Sequence, residues 1–264
     1  MNTFKRYIRI YKAVLKINVA LILAYRANFL NHLFSTGAWG VFNFIWITLL
    51  TNKAKQAFGW NGNELVVITI GYIIITGVHY SLFAHNFENF SRIIDRGEFD
   101  GMLLKPLDTQ FQMSMMRVSF ASLIRTILGS ALLVWWVVMH QFSVGIFQIV
   151  AFIALMGVGV VLMYAVWFLF ITTLIWYPNL SNMIELLYTL NGFARYPTKM
   201  LTASGFTPLL LLVPLALIVA TPVSVLLQKN TWSDVGLLVL LGIGLFAVSR
   251  VFWKFALKSY TSAS

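Results

Sequence analysis

The sequence contains no cysteine. Disulfides, thiolate catalysis and cysteine-held metals are thereby excluded. Charge is also scarce: 10% of the 264 residues are Asp, Glu, Lys or Arg, whereas soluble domains carry about 25%. Only eight residues are acidic against 19 basic ones, a formal net charge of +11. No G-x-x-x-x-G-K-[ST] run is present, so ATP phosphates are not held by a P-loop. No G-x-S-x-G elbow and no H-E-x-x-H pair is present either. His32, His79, His85 and His140 show no ligand spacing and read as interfacial or bundle-packed side chains rather than a metal site. Nor does the opening stretch read as a cleavable signal peptide, because its basic residues run on to Arg26 without an apolar core between them.

What is abundant is apolar surface. The chain is 59% hydrophobic, with 22 Phe, nine Trp and ten Tyr. A single core cannot bury so much, so the solvent for this chain is lipid. Aromatics at this density suit interfacial belts and packed spans. The basic residues lie beside apolar stretches, which points to membrane orientation and anionic lipid rather than nucleic acid.

The expected fold is all-α: a polytopic integral membrane protein of six transmembrane helices in a single domain over 1–264. Clear spans fall at about 33–50, 65–83, 120–139, 144–175 and 235–255. The run 144–175 is longer than one crossing needs, so it tilts or projects. "HQFS" between the third and fourth spans is a tight turn. Two further stretches are ambiguous. One, at 176–194, is short and carries Asn, Ser and Glu185. The other, at 207–226, is apolar but cut by Pro208, Pro214 and Pro222.

Orientation follows from Lys and Arg near the span ends. The N-terminal segment, the loop after the second span and the C-terminal tail hold most of them, which makes both termini cytoplasmic and the number of crossings even. Seven spans would break that parity. Either 176–194 lies at the cytoplasmic surface, or the second stretch is re-entrant on the outer side. The prolines favour a re-entrant element over about 196–230, a path tolerated only where protein or water covers the backbone.

Three stretches carry candidate functional residues. On a helical wheel, Lys5, Arg9, Lys12 and Lys16 fall within an arc of about 60°. Phe4, Tyr7, Ile8, Tyr11, Val14 and Leu15 lie opposite, so 3–28 reads as an amphipathic helix lying in the membrane interface. Glu185, Asn182 and Asn179 give the fifth candidate span a polar stripe. It lines either a substrate pathway or a water-exposed interfacial helix. Arg125, about one and a half turns into the third span, reads as a residue that snorkels to the cytoplasmic headgroups. The most charged stretch, "FENFSRIIDRGEFDGMLLKPL", reads as a short amphipathic helix with Phe87, Phe90, Ile93 and Ile94 on one side. It breaks at Gly97 and Gly101 and stops at Pro106. Its mixed charge and exposed aromatics suit docking of a soluble partner.

Within that stretch, "IDRGEFDGMLLKPL" resembles a signature of the permease subunits of bacterial ABC transporters of the type-2 exporter class. "ARYPTKML…TPLLLLVPLALIVATPVSVLL" resembles the same group's proline-spaced segment before the last span. The resemblance implies a half-transporter whose N-terminal helix is a connecting helix along the inner leaflet. It implies a cytoplasmic coupling loop at 88–112, with Arg92, Asp95, Arg96, Glu98, Asp100 and Lys105 as coupling residues. It also implies two copies of a separate cytosolic ATPase, a second permease half of the same or a related chain, and a bacterial plasma membrane. The chain itself would then need no cofactor and would not be an enzyme. A stand-alone secondary transporter would need ionisable residues at mid-membrane, and only Glu185 and Arg125 qualify. A membrane enzyme would need clustered His, Asp or Glu at one face. A non-transporting scaffold is the remaining class.

Overall fold

The computed structural model of the chain describes residues 3–51, 56–178, 180, 182–202, 212–229 and 232–260. Helix α1 (Thr3–Ala24) turns by 97° into α2 (Arg26–Thr51). Residues 26–28, expected in the connecting helix, therefore belong to the second helix. A two-residue antiparallel ribbon follows, β1 (Gln56–Ala57) with β2 (Trp60–Asn61). Phe58 and Gly59 turn it with positive φ of 54° and 85°. Asn61 then caps α3 (Gly62–His79), bonding the Glu64 amide while the Glu64 carboxylate bonds the Asn61 amide.

Every residue of α3 from Val66 to Gly77 is buried, as befits a helix that is apolar on all sides. It does not end at the membrane surface. A π-turn at Tyr80–Ala84 carries it into α4 (His85–Asp95), so one apolar helix runs Gly62–Ile94. Within the π-turn the Ser81 carbonyl accepts a hydrogen bond from the Ser119 amide at 2.9 Å. Below it lie α5 (Asp100–Leu103) and α6 (Thr109–Met115), then the long helices α7 (Phe120–Met139) and α8 (Ile146–Thr172). The turn between α7 and α8 is tight, with Gln141 at φ 52°.

After α8 the chain fragments. A 3₁₀ turn (Thr173–Ile175), α9 (Met183–Asn191), a second 3₁₀ turn (Gly192–Arg195) and α10 (Thr198–Thr202) take the place of a continuous fifth span. Pro178 and Pro197 punctuate this path. Helix α11 (Val213–Leu226) has 14 residues, about 21 Å of length, short of a hydrocarbon core about 30 Å thick. It is buried on all sides from Leu215 to Leu226. Finally α12 (Trp232–Ser259) runs unbroken. Among the described residues, four helices are long and apolar enough to cross a membrane, or five with the bent α1–α2 pair.

α3 and α11 form the centre, and α2, α7, α8 and α12 surround them with exposed apolar faces. Leu128, Val138, Val150, Leu240 and Val251 are among the outward residues. Glycines let the layers approach. A Cβ on Gly159 of α8 would meet the Ile218 carbonyl of α11 at 2.8 Å, and one on Gly77 of α3 would meet Thr126 of α7.

The two ends of this bundle differ. At the ribbon end, Trp136 Nε1 bonds the Asn63 carbonyl, Gln228 bonds the Ser143 carbonyl, and Lys229 bonds the Gly59 carbonyl. Lys199 also reaches Gly59. The other end collects α1, the 96–119 region and the end of α12, where Trp176 packs on Phe252 and Phe255. Residues 176–202 thus begin near one end and reach the other, and Lys199 and Lys229, on either side of α11, both lie at Gly59. Residues 203–211, part of the expected re-entrant element, lie outside the described residues.

Candidate functional site

At the basic end, residues 85–119 form a cross-braced elbow. Asp108 caps α6, accepting from the Phe111 amide at 3.0 Å. The same carboxylate takes two hydrogen bonds from the Arg250 guanidinium of α12, which also bonds Gln110 Oε1 at 2.8 Å. Burial pushes the Asp108 carboxyl up. The Arg250 guanidinium and the Phe111 amide outweigh that and hold it below the ordinary carboxylate value. Gln110 continues to the Tyr164 hydroxyl on α8 at 3.0 Å, and Trp253 Nε1 bonds Thr109 Oγ1 at 2.9 Å. Two spans, α12 and α8, therefore meet at α6.

The N-terminal helix joins the same elbow. Arg6 donates to the Pro106 carbonyl at 2.7 Å, and the Tyr7 hydroxyl accepts from the Asp108 amide at 3.0 Å. Asn86 clamps Arg117 from both sides, donating to its carbonyl and accepting from its amide, each at 2.8 Å. Phe87, Phe90 and Phe99 are fully buried, and Phe90 and Phe99 stack edge-on with Trp253. The expected exposed aromatics are thus the core of the elbow, not its docking face. Gly97, at φ 69°, breaks the chain as expected, but Gly101 lies inside α5.

The anticipated coupling residues divide. Arg92, Arg96, Glu98 and Lys105 are exposed, and Arg96 and Glu98 approach to only 4.0 Å. Asp100 is instead hydrogen-bonded to Tyr260. The Asp95 side chain lies outside the described residues. Leu104, the second leucine of the GMLLKPL run, is not among the expected coupling residues, yet it is 86% exposed beside Lys105. A leucine pair carries no docking signal until the fold leaves it uncovered, as it does Leu103 and Leu104.

Lys5, Arg9, Lys12 and Lys16 are all exposed on one side of α1. Asn182 stands at the N-cap position of α9 without a side-chain capping bond, Glu185 lies in its first turn, and both are exposed. Asn179 lies outside the described residues.

Arg125 does not snorkel. It is 6% exposed, its guanidinium donates to Thr76 Oγ1, and it lies 5.4 Å from the Trp39 ring and 5.2 Å from the Tyr80 ring. Among the described residues it joins no ion pair, and its Nε has no partner. Cation–π contacts are worth about 0.5–2 kcal/mol each, against the several kcal/mol that burying a charge costs. A second cation follows the same seam: Arg195 bonds Asn43 at 3.2 Å and faces the Tyr72 ring at 5.8 Å. Toward the elbow, Tyr188 donates to Glu88 at 2.5 Å, and His85 meets the other Glu88 oxygen at 3.1 Å. No group of three potential metal ligands occurs among the described residues.

A family model described as ABC-2 family transporter protein matches residues 38–264. The chain belongs to the ABC-2 family of transporter proteins. No curated protein and no solved structure gives a match. The matched region of this ABC-2 permease takes in the whole elbow and every span from mid-α2 onward, and leaves out α1. Permeases of this kind are generally membrane subunits without catalysis of their own, and they work with an ATP-binding partner.

Proposed function

We propose that this ABC-2 permease is half of an ATP-driven exporter in a bacterial plasma membrane. It pairs with a second permease half, the same or a related chain, above two cytosolic ATPase copies. The observation that carries the coupling is the elbow. The segment that exposes Leu104, and on which Arg92, Arg96, Glu98 and Lys105 are also exposed, is braced onto α12 through Asp108–Arg250, onto α8 through Gln110–Tyr164, and onto α1 through Arg6 and Tyr7. A push on that segment then moves several helices together, because packed and hydrogen-bonded elements shift as units.

In this reading the basic end faces the cytoplasm, as the positive-inside rule favours, and both termini lie there. Six crossings follow: α2, α3–α4, α7, α8, the broken path 176–202, and α12. The re-entrant element expected over 196–230 is narrowed to the stretch after Thr202, a reading supported by Lys199 and Lys229 both lying at Gly59 and by the short α11, buried from Leu215 to Leu226. α1, at right angles to α2 with its four basic residues outward, lies along the inner leaflet. Asn182 and Glu185 border the pathway at its cytoplasmic mouth.

The test is affinity purification of the tagged chain in mild detergent. An ATPase should travel with it, and its hydrolysis rate should fall to that of the free ATPase when Leu104→Asp is introduced. A chain that purifies folded and without any ATPase overturns the assignment.

A further inference from the structure

A cleft of about 210 Å³ opens between α2, α3 and α7. Its walls are apolar, among them Leu33, Phe44, Ile73 and Leu132, and its one charged group is Arg125. Two glycines of α2 make the room: a Cβ on Gly37 or Gly40 would meet nothing within 4 Å. The mouth is framed by Val41 and Leu128, each 59% exposed on the apolar flank of the bundle. Whatever enters therefore comes from a hydrocarbon environment, not from water.

The guanidinium is the informative part. It is nine-tenths buried, it has no carboxylate partner among the described residues, and Nε makes no hydrogen bond. Thr76 and two aromatic rings hold it in place without neutralising it. A positive charge fixed beside an apolar cleft, and not neutralised by a carboxylate, is complementary to an anion carried on an apolar chain.

We propose that this cleft binds an anionic amphiphile, its carboxylate or phosphate against Arg125 and its hydrocarbon along Gly37 and Gly40. That the amphiphile is cargo rests on the exporter assignment above; that it binds does not.

The experiment uses the full chain in phosphatidylcholine nanodiscs, with binding measured by equilibrium dialysis and corrected against empty discs. The probes are dodecanoate, dodecyl phosphate, dodecanol and inorganic phosphate. Both anionic amphiphiles should bind saturably. Arg125→Gln should weaken them by about tenfold or more, as loss of a charge-assisted hydrogen bond implies, and Arg125→Lys should restore part of the loss. Gly40→Leu fills the cleft while leaving Arg125 intact, so it should abolish binding in a protein whose size-exclusion profile is unchanged. Dodecanol binding equally well, inorganic phosphate binding by itself, or Gly40→Leu binding like the wild type would each overturn the proposal. Anion binding by a chain that brings down no ATPase sinks the exporter assignment and keeps the site. A co-purifying ATPase without anion binding does the reverse.

Discussion

Asp108 and Arg250 stand 142 residues apart in the chain and meet through two parallel hydrogen bonds. One residue opens α6 in the elbow, and the other lies in the last turns of α12. The pair joins the part of the permease that a partner can push to the helix that closes the fold. Asp108→Asn keeps the α6 cap but removes the charge, so the tie should weaken by about 1–2 kcal/mol. Distance measurements between spin labels on α5 and α12 should show a broadened distribution. A distribution identical to wild type would show that the pair is ornamental.

The same pair makes a statement about pH. The folded carboxyl of Asp108 is held below its ordinary value, because Arg250 and the Phe111 amide outweigh burial. A depressed carboxylate stabilises the fold at pH values above its unfolded pKa, near 3.9. That contribution is lost only as pH falls through the lower, folded value. Between pH 5 and 8 the elbow should therefore not respond to protons through this group. A label distance that shifts across that window would contradict the ion pair.

At the far end, Lys229 reaches Glu64 at 2.5 Å, bonds the Gly59 carbonyl at 3.2 Å and lies over the Trp60 ring at 5.4 Å. It ties the link after α11 to the start of α3. Glu64 is buried and Lys229 is about one-third exposed, so a double-mutant cycle with Glu64→Gln and Lys229→Met should give a coupling of about 1 kcal/mol. Thermal unfolding in detergent reads it. Additive losses would mean that the two ends are not latched together.

Some of this was legible in the residues and some was not, for physical reasons. The basic stripe of α1 and the 120–139 span follow from local periodicity, which the fold keeps. The break at Gly97 follows from backbone chemistry and is also kept. Arg125 was misjudged because its depth is local information and its surroundings are not: Trp39 and Tyr80 come from other helices and supply a buried seat where a snorkel to water was expected. The aromatics of α4 were read as a docking face for the same reason, since Trp253 and Tyr260, which cover that region, come from the end of the chain. Fragmentation of 176–202 was half visible in its prolines and polar residues. Its end-to-end path required Lys199 to be seen beside Gly59.

The exposed segment of the elbow separates structural from docking residues. Arg96 and Glu98 are mostly solvated and 4.0 Å apart, so their mutual attraction is worth less than about 1 kcal/mol and neither is needed for folding. Leu104, 86% exposed, would bury most of its surface against a partner, a gain of about 1.5–3 kcal/mol. Leu104→Asp should therefore weaken ATPase association by tenfold or more, and Arg96→Ala by much less, with both variants inserting normally. Charge reversal at Glu98 should act through the partner, whereas reversal at Asp100 should disturb the permease itself through its bond to Tyr260. Titration of labelled ATPase onto each reconstituted variant measures the order, and equal effects from Leu104 and Arg96 would remove Leu104 as the anchor.

Helix α11 depends on a near approach that two neighbouring glycines of α8 separate cleanly. A Cβ at Gly159 would lie 2.8 Å from the Ile218 carbonyl and 2.9 Å from Ile75, and one at Gly157 would meet nothing within 4 Å. Backbone atoms cannot step aside as a side-chain tip can, so Gly159→Ala should overpack the interface and cost about 1–3 kcal/mol. Gly157→Ala shares the helix, the propensity gain and the lipid environment, and should be neutral or slightly stabilising. Thermal unfolding of the two variants in the same detergent compares them directly. If both melt alike, α11 does not pack against α8 at this contact, and the half-span at the centre of the fold is misplaced.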